Sequence, residues 1–272
     1  MGRPPPWSPP WSPAPAIRLS AGLHALAAAG AVAQPARWPW LLGGVAANHL
    51  LLGLTGAWPQ TRLLGPNLVR LPAACARRGE IALTFDDGPD PRLTPAVLDL
   101  LDAWGAKASF FCIGRRASAH PALIREIAAR GHGVENHSHA HAGAFACYTP
   151  AALHRDLMRA QTAIGGITGR PPAFFRPPMG VRSPLLDPAL NRLGLRQVTW
   201  TRRGYDAVCG DAGAVLRRLS RGLAGGDVLL LHDGGGAAAR RSRPVVLDVL
   251  PALLDRIAAA GLKSVPLHTA LA

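Results

Sequence analysis

Seven short apolar runs follow one another through the C-terminal two-thirds of the chain, and helix-like segments separate them. Runs of this length predict strands buried on both faces, and their alternation with helices predicts a parallel sheet with helices outside it. The sheet would be either a (β/α) barrel or a doubly wound sheet. The predicted strands lie at 81–87, 108–114, 133–137, 173–178, 196–200, 227–233 and 263–267.

The ends of several predicted helices carry capping signals. Thr94-Pro95 and Thr149-Pro150 each offer an N-cap hydroxyl followed by a proline at the first helical position. Gly105 and Gly131 stand where a glycine in the left-handed conformation commonly ends a helix. These signals predict where the connecting helices begin and end.

The N-terminal part of the chain lacks this alternation. Residues 1–16 are rich in proline and predict a disordered tail. Residues 17–61 contain two uncharged stretches, 19–36 and 38–61, which we expect to form one or two hydrophobic membrane helices. The alternative is that both stretches are buried helices packed against a soluble domain.

The second stretch is predicted to be the stronger membrane candidate. It is long enough to cross a bilayer and has tryptophans near both ends, where interfacial anchors would lie, although Asn48 and His49 interrupt it. The first stretch is rich in alanine and includes Ala31-Val32-Ala33, which resembles a signal-peptidase site.

The net charge of +14 bears on which side of a membrane the rest of the chain would lie. About half of it precedes residue 80, and four arginines occupy a basic linker at 62–79. By the positive-inside rule, a two-span hairpin places the domain at 80–272 in the cytoplasm, on a bacterial-type inner membrane. A single uncleaved span would instead place it in the periplasm. Anionic headgroups suit this charge better than nucleic acid, because the sequence has no Lys/Arg-rich run or nucleic-acid motif.

Titratable side chains collect at the ends of four predicted strands. The C-terminal ends of parallel strands meet at one edge of the sheet, where the active sites of such folds lie. We therefore expect one functional site built from several elements. The residues are Asp86 and Asp87 after the first strand, His137 after the third, Arg176 after the fourth, and His232 and Asp233 after the sixth.

The histidines that begin at His137 and the pair Asp86-Asp87 suggest a metal site. Cysteine ligands are not expected, because the four cysteines are scattered and form no CxxC pair. His137 and His141 share a face if they lie on a helical turn, and with one carboxylate they make a three-ligand site. In an extended chain His139 would point the same way, so the spacing leaves both arrangements open. Asp86 and Asp87 point to opposite faces of a strand, so one can bind a metal while the other takes a proton from water.

The motifs TFDDGP, HSHAH, FFRPPMG, TWTRRGYD and LLLHD stand in the order and approximate spacing of the polysaccharide deacetylase family, which the chain resembles over roughly residues 80–270. That family comprises metal-dependent carbohydrate esterases, among them chitin and peptidoglycan N-deacetylases. The resemblance implies a distorted (β/α) barrel of about seven parallel strands. It also implies a hydrolase that removes an N-acyl group, such as acetyl, from an amino sugar in a polysaccharide or glycan.

The resemblance assigns the metal ligands. Asp87, His137 and His141 would hold a divalent metal, most readily Zn²⁺, with Co²⁺ and Ni²⁺ as alternatives. His139 would then lie outside the metal site.

Acid–base roles follow from the same resemblance. Asp86 would be the general base, and Arg176 would hold it ionised through a charge-assisted hydrogen bond. His232 would be the general acid that protonates the leaving amine, with Asp206 raising its pKa. A backbone N–H near Met179 would stabilise the developing oxyanion.

Two departures from the family pattern concern the substrate. The family often has an aromatic residue where Met179 stands. Its fourth motif commonly reads Asp-x-x-Asp-Trp, whereas this chain reads RRGYDAVCGD, in which we match Asp206 rather than Asp211. Trp200 and Tyr205 would then pack against the sugar, unless Trp200 belongs to the core.

The substrate is left open between an N-acylated glycan polymer and a lipid-linked sugar precursor at the membrane. A non-catalytic glycan-binding domain of the same fold is the main alternative to an enzyme. The combination of a base, an acid and a metal site argues against that alternative, because glycan binding needs none of them.

Overall fold

A parallel β-sheet forms the centre of the computed structural model, which describes residues 11–235 and 243–272. The strands are β1 Glu80–Asp86, β2 Ala108–Cys112, β3 Gly133–Asn136, β4 Phe174–Phe175, β5 Arg196–Gln197, β6 Arg202–Arg203, β7 Val228–His232 and β8 Lys263–Ser264. They pair in the order β5-β4-β3-β2-β1-β7-β6, and β8 pairs with the first residues of β1. This open half-barrel of parallel strands confirms the predicted fold class.

Helices connect the strands, because parallel neighbours can be joined only by crossover connections. The first three helices precede β1, two helices lie between β2 and β3, and β5 and β6 follow each other without a helix between them. The helices are α1 Pro15–Ala33, α2 Trp38–Gly56, α3 Ala73–Arg77, α4 Thr94–Ala103, α5 Gly114–Ala119, α6 Pro121–Ala129, α7 Pro150–Thr168, α8 Leu186–Arg192, α9 Ala212–Ser220, α10 Val245–Ala259 and α11 Leu267–Ala270.

Strand β1 divides its side chains between the two faces of the sheet. Leu83 and Phe85 are buried in the large cluster that includes α4 and α10, whereas Ala82 packs in a separate cluster on the other face. Since successive residues of a strand point to opposite faces, Thr84 and Asp86 share the face of Ala82. The strand thereby brings Asp86 to the interior of the half-barrel.

The predicted strands are confirmed, with differences at their ends. The fourth, fifth and last predicted runs are reduced to two paired residues each, in β4, β5 and β8. Strand β6 was not predicted, because Arg202 and Arg203 lack the apolar character of the other runs. Arg202 is tolerated there because its Nε pairs with the fully buried carboxylate of Asp227 at 2.5 Å.

The helix-capping predictions are confirmed at three of four positions. The Thr149 hydroxyl accepts a hydrogen bond at 3.3 Å from the backbone N–H three residues later. Gly105 and Gly131 have φ angles of 60° and 79° and follow helix ends. The prediction for Thr94 is wrong: Thr94 is fully buried as the first residue of α4, and its hydroxyl donates to Asp233 Oδ2 at 2.7 Å.

Helices α1 and α2 form a hairpin with polar side chains between them. The Asn48 amide donates to the Ser20 hydroxyl at 2.8 Å, and the Nε2 atoms of His24 and His49 lie 3.1 Å apart. The polar groups that interrupt the second apolar stretch therefore face the other helix. The outer surface of the hairpin exposes large apolar side chains, including Leu19, Leu26, Val32, Trp38, Trp40, Leu42, Leu50, Leu51 and Leu54.

Within the described part of the chain, Pro15–Ala33 is the one helix long and apolar enough to cross a membrane. The second stretch, preferred from the sequence, forms α2, which does not meet this criterion of length and hydropathy, and Asn48 and His49 lower its hydropathy. Only 6% of the apolar segment of α1 is buried inside the protein. The alternative of a helix buried against the domain therefore does not hold for the first stretch. A membrane anchor and a signal sequence both have this length and composition. Most of the predicted tail, residues 1–10, lies outside the described residues.

The segment predicted as a basic linker, 62–79, packs against the domain. Leu64, Leu71 and Cys75 are buried, and Leu68 pairs with Val198 in a parallel bridge beside β5. The backbone after α2 is therefore part of the folded unit.

Candidate active site

The end of β1 brings two carboxylates to one cleft. Asp86 is 4% exposed, and its Oδ1 accepts a hydrogen bond from Arg176 Nη1 at 2.6 Å. Asp87 has a left-handed backbone with a φ of 73°, so the chain leaves the strand at this residue. Both carboxylates therefore reach the same cleft, although neighbours on a regular strand would point apart.

Asp87, His137 and His141 are the one group of three His, Cys, Asp or Glu side chains, among those described, that could hold a metal ion. Their ligand atoms all lie within 4.8 Å of one another. Asp87 Oδ1 is buried and lies 3.3 Å from His137 Nε2 and 3.0 Å from His141 Nε2. His137 Nδ1 donates to the Arg176 carbonyl at 2.8 Å, which leaves its Nε2 free to bind a metal. The arrangement fits a divalent metal held by one carboxylate and two imidazoles.

The electrostatics of this group also favour a cation. Burial raises the pKa of Asp87, but hydrogen bonds and charge from His137 and His141 outweigh it and hold the pKa well below its usual range. Burial lowers the pKa of His137, but the carboxylates of Asp86 and Asp87 outweigh it, and the pKa is raised overall. A bound metal would take the place of the imidazole protons, since it needs ionised carboxylate and neutral imidazole ligands.

The two histidines do not share a helical turn, so that part of the spacing argument is wrong. Ser138 and His141 have positive φ angles of 64° and 48°, and the His141 N–H donates to Ser138 Oγ at 3.0 Å. Asp156 on α7 holds the loop by accepting two of its backbone N–H groups at 2.7 and 3.2 Å. His139 lies outside the metal-ligand group, and its Nδ1 packs beside Gly114.

Arg176 is fully buried and ties Asp86 to the sheet. Its Nη1 donates to Asp86 and also to the Thr84 hydroxyl, at 2.9 Å. The remaining guanidinium nitrogens donate to the backbone carbonyls of Val198 and Thr199 at 3.3 and 2.9 Å. The guanidinium is therefore held in one orientation beside the carboxylate.

His232 at the end of β7 pairs with Asp206, which follows β6. Both side chains are buried, and His232 Nδ1 donates to Asp206 Oδ1 at 2.9 Å. Burial lowers the pKa of His232, but the hydrogen bond and charge of Asp206, with smaller effects from Asp86 and Asp87, raise it overall. The Nε2 edge of the ring is left for a ligand in the cleft.

A cleft of about 190 Å³ is lined by Asp86, Asp87, His137, His141 and His232. Met179 lines the cleft and is half exposed, whereas Trp200 is only 5% exposed and packs in the wall. Tyr205, also half exposed, lies beside the cleft-lining Arg203. A larger cavity of about 350 Å³ lies between 66–68 and α8 and contains none of the predicted site residues. The chemistry therefore belongs to the smaller cleft.

Several supporting side chains were not recognised as part of the site in the sequence. Asp233 was expected at the same edge without a role; burial raises its pKa to about 7, and it accepts the Thr94 hydroxyl. The Arg116 Nη1 donates to the Asp87 carbonyl at 2.7 Å and holds the turn after β1. Neither Arg116 nor Asp156 has a local sequence signal, because each acts through a contact distant along the chain.

Comparison with known proteins shows the family. The family model described as polysaccharide deacetylase matches residues 73–198. A peptidoglycan-N-acetylglucosamine deacetylase of Bacillus cereus is 33% identical over 157 residues, which cover 57% of this chain and 73% of the relative. The chain belongs to the polysaccharide deacetylase family.

Two further members support this assignment. A chitooligosaccharide deacetylase of Bradyrhizobium is 34% identical over 170 residues, covering 60% of this chain and 74% of that protein. The structure of a family 4 carbohydrate esterase from Streptomyces lividans superposes with a TM-score of 0.62 at 32% identity, covering 68% of this deacetylase and 91% of the esterase. The predicted family, the hydrolase class and N-deacylation of amino-sugar glycans as the general reaction are thus confirmed.

Proposed function

We propose that this deacetylase hydrolyses the N-acetyl group of an amino sugar with Asp86 as base, His232 as acid and a metal held by Asp87, His137 and His141. The observation that carries this proposal is that all five side chains line one cleft. When bound, a divalent metal, most readily Zn²⁺, supplies Lewis-acid stabilisation of the acyl carbonyl and lowers the pKa of water. Co²⁺ or Ni²⁺ would satisfy the same ligands.

Asp86 takes the proton from the attacking water. Its Oδ2 lies 3.9 Å from His137 Nε2, so the base faces the metal-ligand group without belonging to it. Arg176 donates to its other oxygen, which leaves Oδ2 to accept the proton of the water. As the water oxygen bonds to the carbonyl carbon, a backbone N–H near Met179, which has a φ of 58°, stabilises the oxyanion.

His232 gives a proton to the amide nitrogen as the C–N bond breaks. An amine is a poor leaving group unless it is protonated, so the imidazole must carry its proton at this step. Asp206 favours that state and, by accepting from Nδ1, aims Nε2 at the cleft. The products are acetate and the free amino sugar.

The substrate class rests on the relatives, which are named for peptidoglycan N-acetylglucosamine and chitooligosaccharide. We propose an N-acetylglucosamine glycan of this kind, with a lipid-linked amino sugar as the second candidate. One observation favours the second candidate. The carbonyl of Gly56, the last residue of α2, accepts a hydrogen bond from the Arg182 N–H at 3.0 Å. Arg182 comes two residues after Gly180, which lines the cleft. The cleft thus lies near the end of the apolar hairpin.

The hairpin α1–α2 is proposed to anchor the enzyme to a membrane. Paired polar groups between two helices and apolar groups outside them suit a lipid environment. When both helices cross the bilayer, the positive charge after α2 favours a cytoplasmic domain, whereas a single uncleaved span by α1 places the domain outside. Alkaline carbonate washing should leave the chain in the membrane fraction, and protease added to spheroplasts should leave the domain intact. Digestion in intact spheroplasts would place the domain outside, and release by the wash would argue against an anchor.

The test of the reaction uses the full chain in detergent, because buried residues of 62–79 complete the domain. About one metal per chain and acetate release from N-acetylglucosamine oligomers are expected. Metal without acetate release from oligomers would redirect the search to lipid-linked sugars. A folded, metal-supplemented chain that binds no metal would contradict the enzyme and favour a glycan-binding role.

A further inference from the structure

The cleft contains a cation that the proposed reaction does not use. Arg203 ends β6 and lines the cleft together with Asp86, Asp87 and the histidines. Its guanidinium carbon lies 5.1 Å from the centre of the Trp200 ring and 4.9 Å from that of Tyr205. The two aromatic rings hold the guanidinium in place without neutralising its charge.

Arg203 forms no ion pair within residues 11–235 and 243–272, and its buried Nε has no hydrogen-bond acceptor there. The adjacent Arg202 differs, since its Nε pairs with Asp227. Desolvating a guanidinium nitrogen without an acceptor is unfavourable, so such a group is a good recognition site for an anion. The contrast between neighbours on one strand indicates that the charge of Arg203 is not needed to stabilise β6.

The carboxylates of the cleft are all engaged by other groups. Asp86 is held by Arg176, and Asp206, behind the cleft wall, is held by His232. Asp87 lies against the two histidines of the metal-ligand group. Arg203 therefore gives the cleft a positive charge with which none of these carboxylates pairs.

We propose that Arg203 binds an anionic group of the substrate, a phosphate ester or a carboxylate, carried on the acylated sugar or on the unit next to it. The proposal rests on the proposed function and narrows its substrate to anionic amino sugars. The small volume of the cleft, about 190 Å³, keeps the anion close to the acyl group.

The test compares acetate release by the full chain from three substrates: the neutral N-acetylglucosamine trimer, N-acetylglucosamine 1-phosphate and N-acetylmuramic acid. The variants are Arg203→Gln, Arg203→Lys and, as a matched control, Arg125→Gln on the exposed face of α6. The preference in kcat/KM for an anionic over the neutral substrate should fall about tenfold to a hundredfold in Arg203→Gln, mainly through KM. Arg203→Lys should retain part of the preference, and Arg125→Gln all of it.

The pattern of loss distinguishes the sources of the anion. If Arg203→Gln loses the preference for N-acetylglucosamine 1-phosphate alone, the anion is a phosphate ester. If it loses the preference for N-acetylmuramic acid alone, the anion is a carboxylate. No preference for either anionic substrate in the wild type, or the same preference in Arg203→Gln, would overturn the proposal.

Calorimetric binding of N-acetylglucosamine 1-phosphate, compared with N-acetylglucosamine, separates this proposal from the proposed function. Absence of acetate release from all three substrates would contradict the proposed function. Binding that favours neither this phosphate nor N-acetylmuramic acid over N-acetylglucosamine, or that favours the anion equally in Arg203→Gln, would contradict the role of Arg203 even in an active enzyme.

Discussion

Asp206 accepts two hydrogen bonds from the same residue, His232: one from the backbone N–H at 2.8 Å and one from the imidazole Nδ1 at 2.9 Å. Both carboxylate oxygens are thus committed to one histidine at the end of β7. The backbone bond fixes where the carboxylate lies, and the side-chain bond fixes the ring orientation and its tautomer. Asp206 can therefore set both the ring orientation and the protonation of His232, the proposed general acid.

Replacing Asp206 by Asn should change the pH dependence of the reaction. Asp206 raises the pKa of His232, and activity requires the protonated ring, so activity is lost as pH rises through that pKa. Without the charge the pKa falls, and the alkaline limb of the kcat profile should move to lower pH, with kcat reduced at least about tenfold. Asp211→Asn is the control, because Asn can keep the N-cap of α9. An unmoved alkaline limb in Asp206→Asn would contradict this role.

The adjacent aspartates should separate metal binding from turnover. Asp86→Asn should retain about one metal per chain and lose turnover, because Asp86 lies outside the ligand group. Asp87→Asn should lose the metal, because the Asp87 carboxylate is the one acidic ligand of that group. Metal content and acetate release are measured on the same samples. Equal metal loss in the two variants would refute the division of roles.

Removing the charge of Arg176 should destabilise the fold. Arg176→Met leaves Asp86 as a buried carboxylate without its partner, and the expected cost is about 3 to 5 kcal/mol in the free energy of unfolding. The double variant Arg176→Met/Asp86→Asn should recover part of that cost. Urea unfolding measures both, with Arg125→Met as an exposed control. A double variant no more stable than Arg176→Met would show that the cost comes from lost packing rather than from the unpaired charge.

Glu135, on β3, should make stability depend on pH. Burial raises the pKa of Glu135 to about 7, although it accepts N–H groups from Ala173 and Phe174. A raised carboxyl pKa contributes stability that is fully present below the unfolded pKa of about 4.5 and lost as pH rises through about 7. Glu135→Gln removes this titration, so the variant should gain stability relative to the wild type between pH 5 and about 8.

Urea unfolding at several pH values checks this dependence on Glu135. Glu126→Gln on α6 serves as a partly exposed control, for which a smaller trend is expected. A difference between Glu135→Gln and the wild type that stays constant with pH would show that Glu135 is not protonated in the folded protein.

Most of the fold could be predicted because its signals are local. Buried strands such as β1 and β7 appear as apolar runs, and Thr149 and Gly105 mark helix ends through contacts within one turn. Strand β6 could not be recognised, because its two arginines depend on a partner, Asp227, that is far along the chain.

The candidate site residues were identified from the order and spacing of short motifs, since strand ends in a parallel sheet meet at one edge. Spacing alone left His139 and His141 open, and the family resemblance favoured His141. The structure brings His141 to Asp87 through a loop with positive φ at Ser138 and His141, which is neither of the two regular arrangements. The unpaired charge of Arg203 likewise appears only when its surroundings are known.

The sequence by itself determined the alternation of strands and helices, the family and the chemical types of the site residues. Only the tertiary structure decided which groups meet. Thr94 bonds to Asp233 across 139 residues instead of capping its own helix, and Asn48 reaches Ser20 on the other helix of the hairpin. The physical reason is range: periodicity and capping act within a few residues, whereas the burial of polar groups requires partners that only chain packing can supply.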